Sequence, residues 1–330
     1  MEKENPNSIK FHFTPSRFVP DDSSKGLFLF LIFQTLIMLV YQVLYMVGFT
    51  HDIWSYVFTL ILDASFIICV YVVSQPKKIN LFSNLKVKKA PNFKQILVCV
   101  GISLICLFGF SSLTNLFLEA LYNVGYSSVT SDIVIPNFGY YLLYVVCICV
   151  APAICEEVLF RGLICNGLSK INKTVAVLGS AFLFMIMHGS PDQTVHQFIL
   201  GIILALAFLI TNNLWVPIII HFLNNFIAVT FSYIAYGDSA AETVETAEIY
   251  LGEYVIYAVI SAIISAILVY YLLKILSKTK EPEKVLEPVE PKRPWEMAVE
   301  NEFSIDQGRV TAGEALHVTK DDQLPEPTNE

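Results

Sequence analysis

The chain has 330 residues, of which 55% are hydrophobic and only 15% are charged. About a quarter of the residues of a soluble domain are charged, so this composition excludes an ordinary water-soluble protein and indicates a membrane protein. The formal net charge of −8 is concentrated near one end, because residues 278–330 hold 13 acidic and 7 basic residues. This segment is rich in proline and lacks apolar periodicity, and we predict that it is a disordered cytoplasmic tail.

Eight apolar runs are long enough to cross about 30 Å of hydrocarbon. Each run is predicted to be a helix, because a segment in lipid must satisfy its own backbone hydrogen bonds. The expected fold class is therefore all-α, a polytopic bundle of about eight transmembrane helices. The predicted domains are a cytoplasmic N-terminal segment 1–26, a membrane domain 27–277 with a motif-bearing core at 139–235, and the tail 278–330. The predicted spans are 27–49, 54–74, 94–121, 139–162, 171–188, 194–211, 214–235 and 249–277.

Lysine and arginine residues are confined to alternate connections between the spans. The connection at 75–94 carries six lysines, and Lys170 and Lys173 lie near the turn between the fourth and fifth spans. The connections at 122–138 and 236–248 contain neither lysine nor arginine. Basic residues mark the cytoplasmic side of a membrane protein. The pattern predicts a multi-pass protein of the cell membrane with both termini in the cytoplasm.

Several spans contain ionisable residues, which are costly in hydrocarbon unless they are paired or functional. The stretch CEEVLFRG, in the fourth span, contains Glu156, Glu157 and Arg161. Residues four apart share one face of a helix, so Glu157 and Arg161 are predicted to form an ion pair. Glu156 is turned about 100° away from that face. It is therefore left without a local cation and is available for chemistry.

Histidine and asparagine residues mark two further spans. The stretch FLFMIMHG contains His188, and WVPIIIHFLNNF contains His221 and Asn225, which are four residues apart. Asp63 stands alone in the second span and has no predicted role. His196 opens the sixth span and is assigned to the membrane interface. The polar residues of the fourth, fifth and seventh spans together predict one intramembrane site.

These residue types fit two kinds of hydrolytic chemistry. A carboxylate beside a histidine can take a proton from water and return it to a leaving amine, while a histidine and an asparagine stabilise the oxyanion. Alternatively, Glu156, His188 and His221 supply three ligands to a zinc ion whose fourth position holds water. The sequence leaves open whether a divalent metal is required.

The motifs and their order resemble those of the CAAX-processing and bacteriocin-processing (CPBP, or Abi) intramembrane protease family. EEVLFR matches EExxxR, FMIMH matches FxxxH and HFLNN contains HxxxN. The resemblance implies about eight helices around a conical polar cavity in which a peptide bond is hydrolysed. Carried over by position, Glu156 and His188 activate the water, and His221 and Asn225 stabilise the oxyanion.

The same resemblance assigns Glu157 and Arg161 to positions that support the reacting residues. The expected partners are the lipid bilayer and a peptide or membrane-protein substrate presented near the cytoplasmic face; a nucleic acid is not expected, and the oligomeric state is undetermined. By family analogy, the expected role is bacterial peptide maturation or bacteriocin self-immunity. The alternative is a non-catalytic membrane scaffold that regulates a partner such as a sensor kinase.

One geometric condition must hold if Glu156 and His188 are to meet. A fifth helix that begins at residue 171 places His188 about 26 Å along its axis, at 1.5 Å per residue. Glu156 lies only a few residues before the predicted end of the fourth span. We therefore predict that the fourth helix continues beyond Gly162 through LICNGL.

Overall fold

A computed structural model gives the structure of the chain. It describes residues 9, 11, 13–14, 16–51, 53–127, 135–238 and 251–278, with only the backbone described for residues 235–238 and 251–252. The tail predicted at 278–330 lies outside the described residues from residue 279 onward, and so do residues 1–8 of the N-terminal segment.

Every run predicted to span the membrane forms a helix, and the described part of the chain contains no strand. Among the described residues, seven helices are long and apolar enough to cross a membrane, and the helix of the fifth predicted span, α5, has 15 residues. The predicted all-α polytopic fold is therefore confirmed. The helices are α1 (Pro20–Met46), α2 (Ile53–Lys77), α3 (Phe93–Asn123), α4 (Phe138–Leu168), α5 (Lys173–Met187), α6 (Pro191–Thr211), α7 (Trp215–Asp238) and α8 (Leu251–Lys278). A four-residue helix, Leu81–Asn84, lies in the connection between α2 and α3.

The first helix begins at Pro20, earlier than the predicted start at residue 27. Proline is favoured in the first turn because it has no N–H group that would need a partner there. The Asp22 carboxylate accepts a hydrogen bond from the backbone N–H of Val19 at 2.8 Å and forms an ion pair with Lys77. These polar contacts start the helix before its apolar stretch begins.

Contacts between connections define one end of the bundle. The backbone N–H of Arg17 donates to the Asn84 side chain at 2.9 Å, and Asn166 Nδ2 donates to the Asn84 carbonyl at 2.8 Å. Asn213 Nδ2 donates to the carbonyl of Lys89 at 3.0 Å. The segment before α1, the α2–α3 connection, the end of α4 and the α6–α7 turn therefore lie together.

We call this end of the bundle the lysine-rich face, because six lysines lie between residues 77 and 94, in the α2–α3 connection and the adjoining turns of the two helices. The opposite end, which carries residues 47–51 and the α5–α6 turn at 188–190, is the lysine-poor face. The assignment of the lysine-rich face to the cytoplasm stays a prediction from charge.

Helix α4 lies in the centre of the bundle and contacts α1, α2, α5 and α7. It is irregular, with π-helical segments at Val145–Val150 and Val158–Cys165. Pro152 contributes to this irregularity, because it has no N–H group to donate to the carbonyl of Ile148 four residues earlier. The helix nevertheless continues to Leu168. The prediction that it extends past the charged motif is confirmed.

Helices α5 and α6 pack closely against each other through small residues, as is common in membranes. Gly201 on α6 faces Ala181 on α5, and a Cβ atom added at Gly201 would lie 2.9 Å from the Ala181 Cα. That distance is too short for two carbon atoms, and the neighbour is backbone rather than a flexible side chain. The spacing of the two helices therefore depends on glycine at this position.

Replacing Gly201 with valine is expected to push α5 and α6 apart and to destabilise the protein by about 1–3 kcal/mol. The measurement is the midpoint of thermal unfolding of the purified protein in detergent micelles. Gly179→Ala is the control on the same hairpin, because its new Cβ would meet only the end of the Leu168 side chain. Equal midpoints for the two variants would contradict this account of the packing.

Candidate active site

The second glutamate of the EExxxR motif lies at the centre of a buried polar cluster. Glu157 Oε1 accepts hydrogen bonds from Arg161 Nη1 at 2.7 Å and from His221 Nδ1 at 3.0 Å. Arg161 Nη2 donates to the carbonyl of Gly201 at 3.2 Å. The Glu157 and Arg161 side chains are 0% exposed. The predicted ion pair is therefore present, and it lies inside the protein rather than at the membrane margin.

Phe184, the phenylalanine of the FxxxH motif, holds three polar side chains in place. Its ring lies 4.4 Å from Cζ of Arg161, within the range of a cation–π interaction. The same ring contacts His188 and His221 edge-on, with centroid separations of 4.7 and 5.6 Å. Phe184 is completely buried, so it fixes the relative positions of these groups.

His188 lies at the carboxyl end of α5, where Gly189 adopts a φ of +63° and ends the helix. The ring Nδ1 lies 2.8 Å from the carbonyl oxygen of Phe184. A carbonyl oxygen can only accept, so Nδ1 carries the hydrogen, and Nε2 of the neutral ring is an acceptor. This Nε2 lies 4.0 Å from Oε2 of Glu156.

The gap between Glu156 and His188 has the dimensions of a water site. A separation of 4.0 Å is too long for a direct hydrogen bond. Glu156 Oε2 is buried and has no hydrogen-bond partner among the described residues. Two acceptors that each take one hydrogen from a shared water, about 2.8 Å away, lie about 4.4 Å apart. The observed spacing is close to that value, so the pair can hold one water molecule.

Asn225 connects α7 to the irregular part of α4. Its Nδ2 donates to the carbonyl of Ile148 at 3.0 Å. This is the carbonyl that Pro152 leaves without its α-helical donor. The Asn225 amide group has a second hydrogen that this contact does not use.

One family model matches the part of the chain that carries these motifs. Residues 138–227 match the family described as Type II CAAX prenyl endopeptidase Rce1-like, which belongs to the CPBP family. The predicted CPBP family is confirmed for this chain. This match over residues 138–227 indicates a protease of the CAAX type, with a peptide or protein substrate and a multi-pass membrane setting. No curated protein and no solved structure matches the chain.

A further histidine, His196, lies next to the CPBP motifs in the structure. The sequence pattern had assigned it to the membrane interface. Asn224 Nδ2 lies 3.3 Å from His196 Nε2 and 3.4 Å from Asn225 Oδ1. His196 is in the second turn of α6, because that helix begins at Pro191. Asn224 could have indicated this contact from the sequence, because a buried amide in a membrane helix needs a polar partner.

Asp63 on α2 places a second carboxyl group near the site. Its side chain is almost completely buried, and its Oδ2 has no hydrogen-bond partner among the described residues. The carboxyl is close enough to Glu156 for the two groups to interact electrostatically. No sequence motif of the CPBP family accounts for it.

The zinc alternative requires Glu156, His188 and His221 to converge on one ion. His221 donates its Nδ1 hydrogen to Glu157, which leaves only its Nε2 as a possible ligand. Within the described ranges, no group of three histidine, cysteine, aspartate or glutamate side chains is placed to hold a metal ion. As arranged here, these residues do not fit the three-ligand zinc site.

Proposed function

We propose that the protein is an intramembrane endopeptidase in which Glu156 and His188 activate a water molecule. The observation that carries this proposal is the 4.0 Å gap between two acceptor atoms, Oε2 of Glu156 and Nε2 of His188. A water molecule that donates a hydrogen to each of them directs its oxygen lone pairs away from both. A peptide carbonyl carbon placed on that side is open to attack.

The reaction follows from these positions. As the water oxygen attacks the carbonyl carbon, Glu156 takes one water proton and the carbonyl π electrons move to the oxygen. His188 keeps the water oriented by accepting its other hydrogen. Glu156 then gives the proton to the amide nitrogen, and the C–N bond breaks to leave a carboxylic acid and an amine.

His221 and Asn225 are proposed to stabilise the oxyanion that forms in this step. Glu157 accepts from Nδ1 of His221, so His221 reaches the oxyanion through Nε2, which donates when both ring nitrogens carry a hydrogen. The second Nδ2 hydrogen of Asn225 is the other donor. Arg161 holds Glu157 in position through the 2.7 Å contact. Donors fixed before the reaction are effective because they need no reorganisation when charge develops.

The substrate we propose is a peptide or a segment of a membrane protein. By family analogy, the cellular role is maturation of a bacterial peptide or self-immunity to a bacteriocin. Nothing in the polar groups of the site selects a prenyl group, since the donors and acceptors described above all address the peptide bond.

Replacing Glu156 with glutamine tests the proposal, because it keeps the shape of the side chain and removes the base. The expected loss in kcat is about 10²–10⁴-fold. Peptides in membranes and medium of cells that carry the variant are compared with those of wild-type cells by mass spectrometry. Peptides that accumulate uncleaved are then incubated with each purified protein in lipid nanodiscs.

Glu119→Gln is the matched control, because Glu119 is an exposed glutamate at the end of α3. It is expected to leave the peptide pattern and the cleavage rate unchanged. A Glu156→Gln strain with the peptide pattern and phenotype of the wild type would contradict the proposal and favour the scaffold alternative.

A further inference from the structure

The candidate site lies at the boundary between a tightly packed half and a loosely packed half of the bundle. On α4, every residue from 157 to 167 is buried, whereas no residue from 138 to 146 is buried. The packed segment lies between Glu156 and the lysine-rich face. The loosely packed segment lies between Glu156 and the lysine-poor face.

The burial of α6 and α7 changes at the same depth in the bundle as that of α4. On α6, only Ile202 and Leu206 are partly exposed between residues 200 and 211, whereas none of residues 191–199 is buried. On α7, residues 216–221 are buried with the exception of Ile219. From 222 to 228, only Asn224 is buried. Three helices around the site are therefore closely packed between it and the lysine-rich face, and less closely packed between it and the lysine-poor face.

The length of α5 adds to this asymmetry. Its 15 residues span about 22 Å at 1.5 Å per residue, which is less than the roughly 30 Å of a hydrocarbon core. His188 caps the end of this short helix. Its side chain is 18% exposed, and the Glu156 side chain is 15% exposed. Because α5 begins at the lysine-rich face and is shorter than the hydrocarbon core, it ends inside the membrane. His188 therefore lies below the lysine-poor surface, at less than the full depth of the membrane.

Polar contacts occur in the loosely packed half. The hydroxyls of Tyr141 on α4 and Thr230 on α7 lie 3.1 Å apart. Asn224 and His196 form the contact between α7 and α6 described above. The same half also holds a small apolar cluster around Ile135, Cys149 and Val229, and the packed half has buried polar contacts of its own, such as Ser23 Oγ with the Leu163 carbonyl. The two halves therefore differ in packing rather than in polarity. A peptide backbone needs both space and polar partners, and the loosely packed half is the one that combines the two.

We propose that the peptide substrate reaches Glu156 and His188 from the lysine-poor face of the membrane. Basic residues mark the cytoplasmic side, so the substrate class is a peptide segment on the outer side, either exported or part of a membrane protein. This differs from the presentation near the cytoplasmic face that the sequence motifs suggested. The inference rests on the proposed peptidase function, because only a peptidase would take a peptide substrate at this site. The side from which a molecule reaches the site depends on the fold and not on that function.

The test measures from which side a charged thiol reagent reaches the site. Glu156→Cys and His188→Cys are made separately in the full chain, whose seven native cysteines are all buried. Gln193→Cys in the exposed α5–α6 turn marks the lysine-poor face, and the exposed Lys170→Cys marks the lysine-rich face. A membrane-impermeant sulfonated methanethiosulfonate is added to sealed cells or to inside-out membrane vesicles, with the wild-type chain as the blank.

The two site cysteines are expected to react from the same side as Gln193→Cys, and about tenfold or more faster than from the side of Lys170→Cys, because a charged reagent does not cross hydrocarbon readily. In sealed cells, Gln193→Cys should react and Lys170→Cys should not. Reaction of both site cysteines from the side of Lys170→Cys, from both sides equally or from neither side would overturn the proposed route.

Two further outcomes are distinguishable. If Gln193→Cys reacts only in inside-out vesicles, the lysine-poor face is cytoplasmic and the proposed outer substrate is wrong. Labelling needs no turnover, so these rates are independent of the Glu156→Gln peptide comparison. Failure of the peptidase proposal and failure of the access route are therefore seen in different experiments.

Discussion

Replacing Arg161 with methionine is expected to cost about 3–5 kcal/mol of stability, because the buried Glu157 carboxylate loses its charged partner. Both side chains are 0% exposed, so water cannot take the place of the guanidinium. The midpoint of thermal unfolding in detergent micelles should fall by about 4–7 °C. The peptidase rate should fall as well, since Glu157 would no longer be held against His221.

The double variant Glu157→Met with Arg161→Met separates charge from packing. Removing both charges leaves apolar side chains in an apolar interior, so much of the lost stability should return while the peptidase activity does not. Lys25→Met is the control, because Lys25 forms an i,i+4 pair with Asp21 in which both side chains are largely exposed. It should leave the midpoint unchanged. An unchanged midpoint for Arg161→Met alone would show that the buried pair does not stabilise this fold.

Replacing His221 with phenylalanine is expected to lower kcat by about 10²–10³-fold, the usual effect of losing one oxyanion donor. The oxyanion exists in the transition state and not in the bound substrate, so KM should change little. The measurement is single-turnover and steady-state cleavage of a peptide found in the Glu156→Gln comparison. Phenylalanine keeps the aromatic contact with Phe184 and removes both ring nitrogens.

Ser103→Ala is the matched control for His221→Phe. The Ser103 hydroxyl donates to the carbonyl of Ile220 at 3.1 Å, next to His221, but belongs to the packed half of the bundle. Its loss should leave kcat unchanged. If His221→Phe instead raises KM with kcat unchanged, His221 binds the ground state and its assignment to the oxyanion is wrong.

Much of the candidate site could be predicted because its information is local. The four-residue spacing of Glu157 and Arg161 places them on one helical face in any helix, so their pairing needs no knowledge of the fold. The same holds for His188, which is followed by a glycine that ends its helix. The continuation of α4 followed from a distance requirement rather than from propensity.

The contacts between helices could not be predicted, because they depend on how α4, α6 and α7 are arranged. The donation from His221 to Glu157 joins residues that are 64 positions apart. Sequence spacing assigned His221 only to the oxyanion or to a metal. The contact of His196 was missed for the same reason, since its partner Asn224 lies on another helix. Complete burial of a side chain also depends on the neighbouring helices. The sequence therefore suggested that the Glu157–Arg161 pair lies at the membrane margin.

The contact between Asn225 and the Ile148 carbonyl has a consequence for how this chain can change. Pro152 lies outside the three motifs, has no reactive group and would pass unnoticed in a motif search. It nevertheless creates the acceptor that fixes the Asn225 amide. On the proposed mechanism, the pyrrolidine ring on α4 and the carboxamide on α7 therefore work as a unit, and a change at Pro152 would also change how the amide is held.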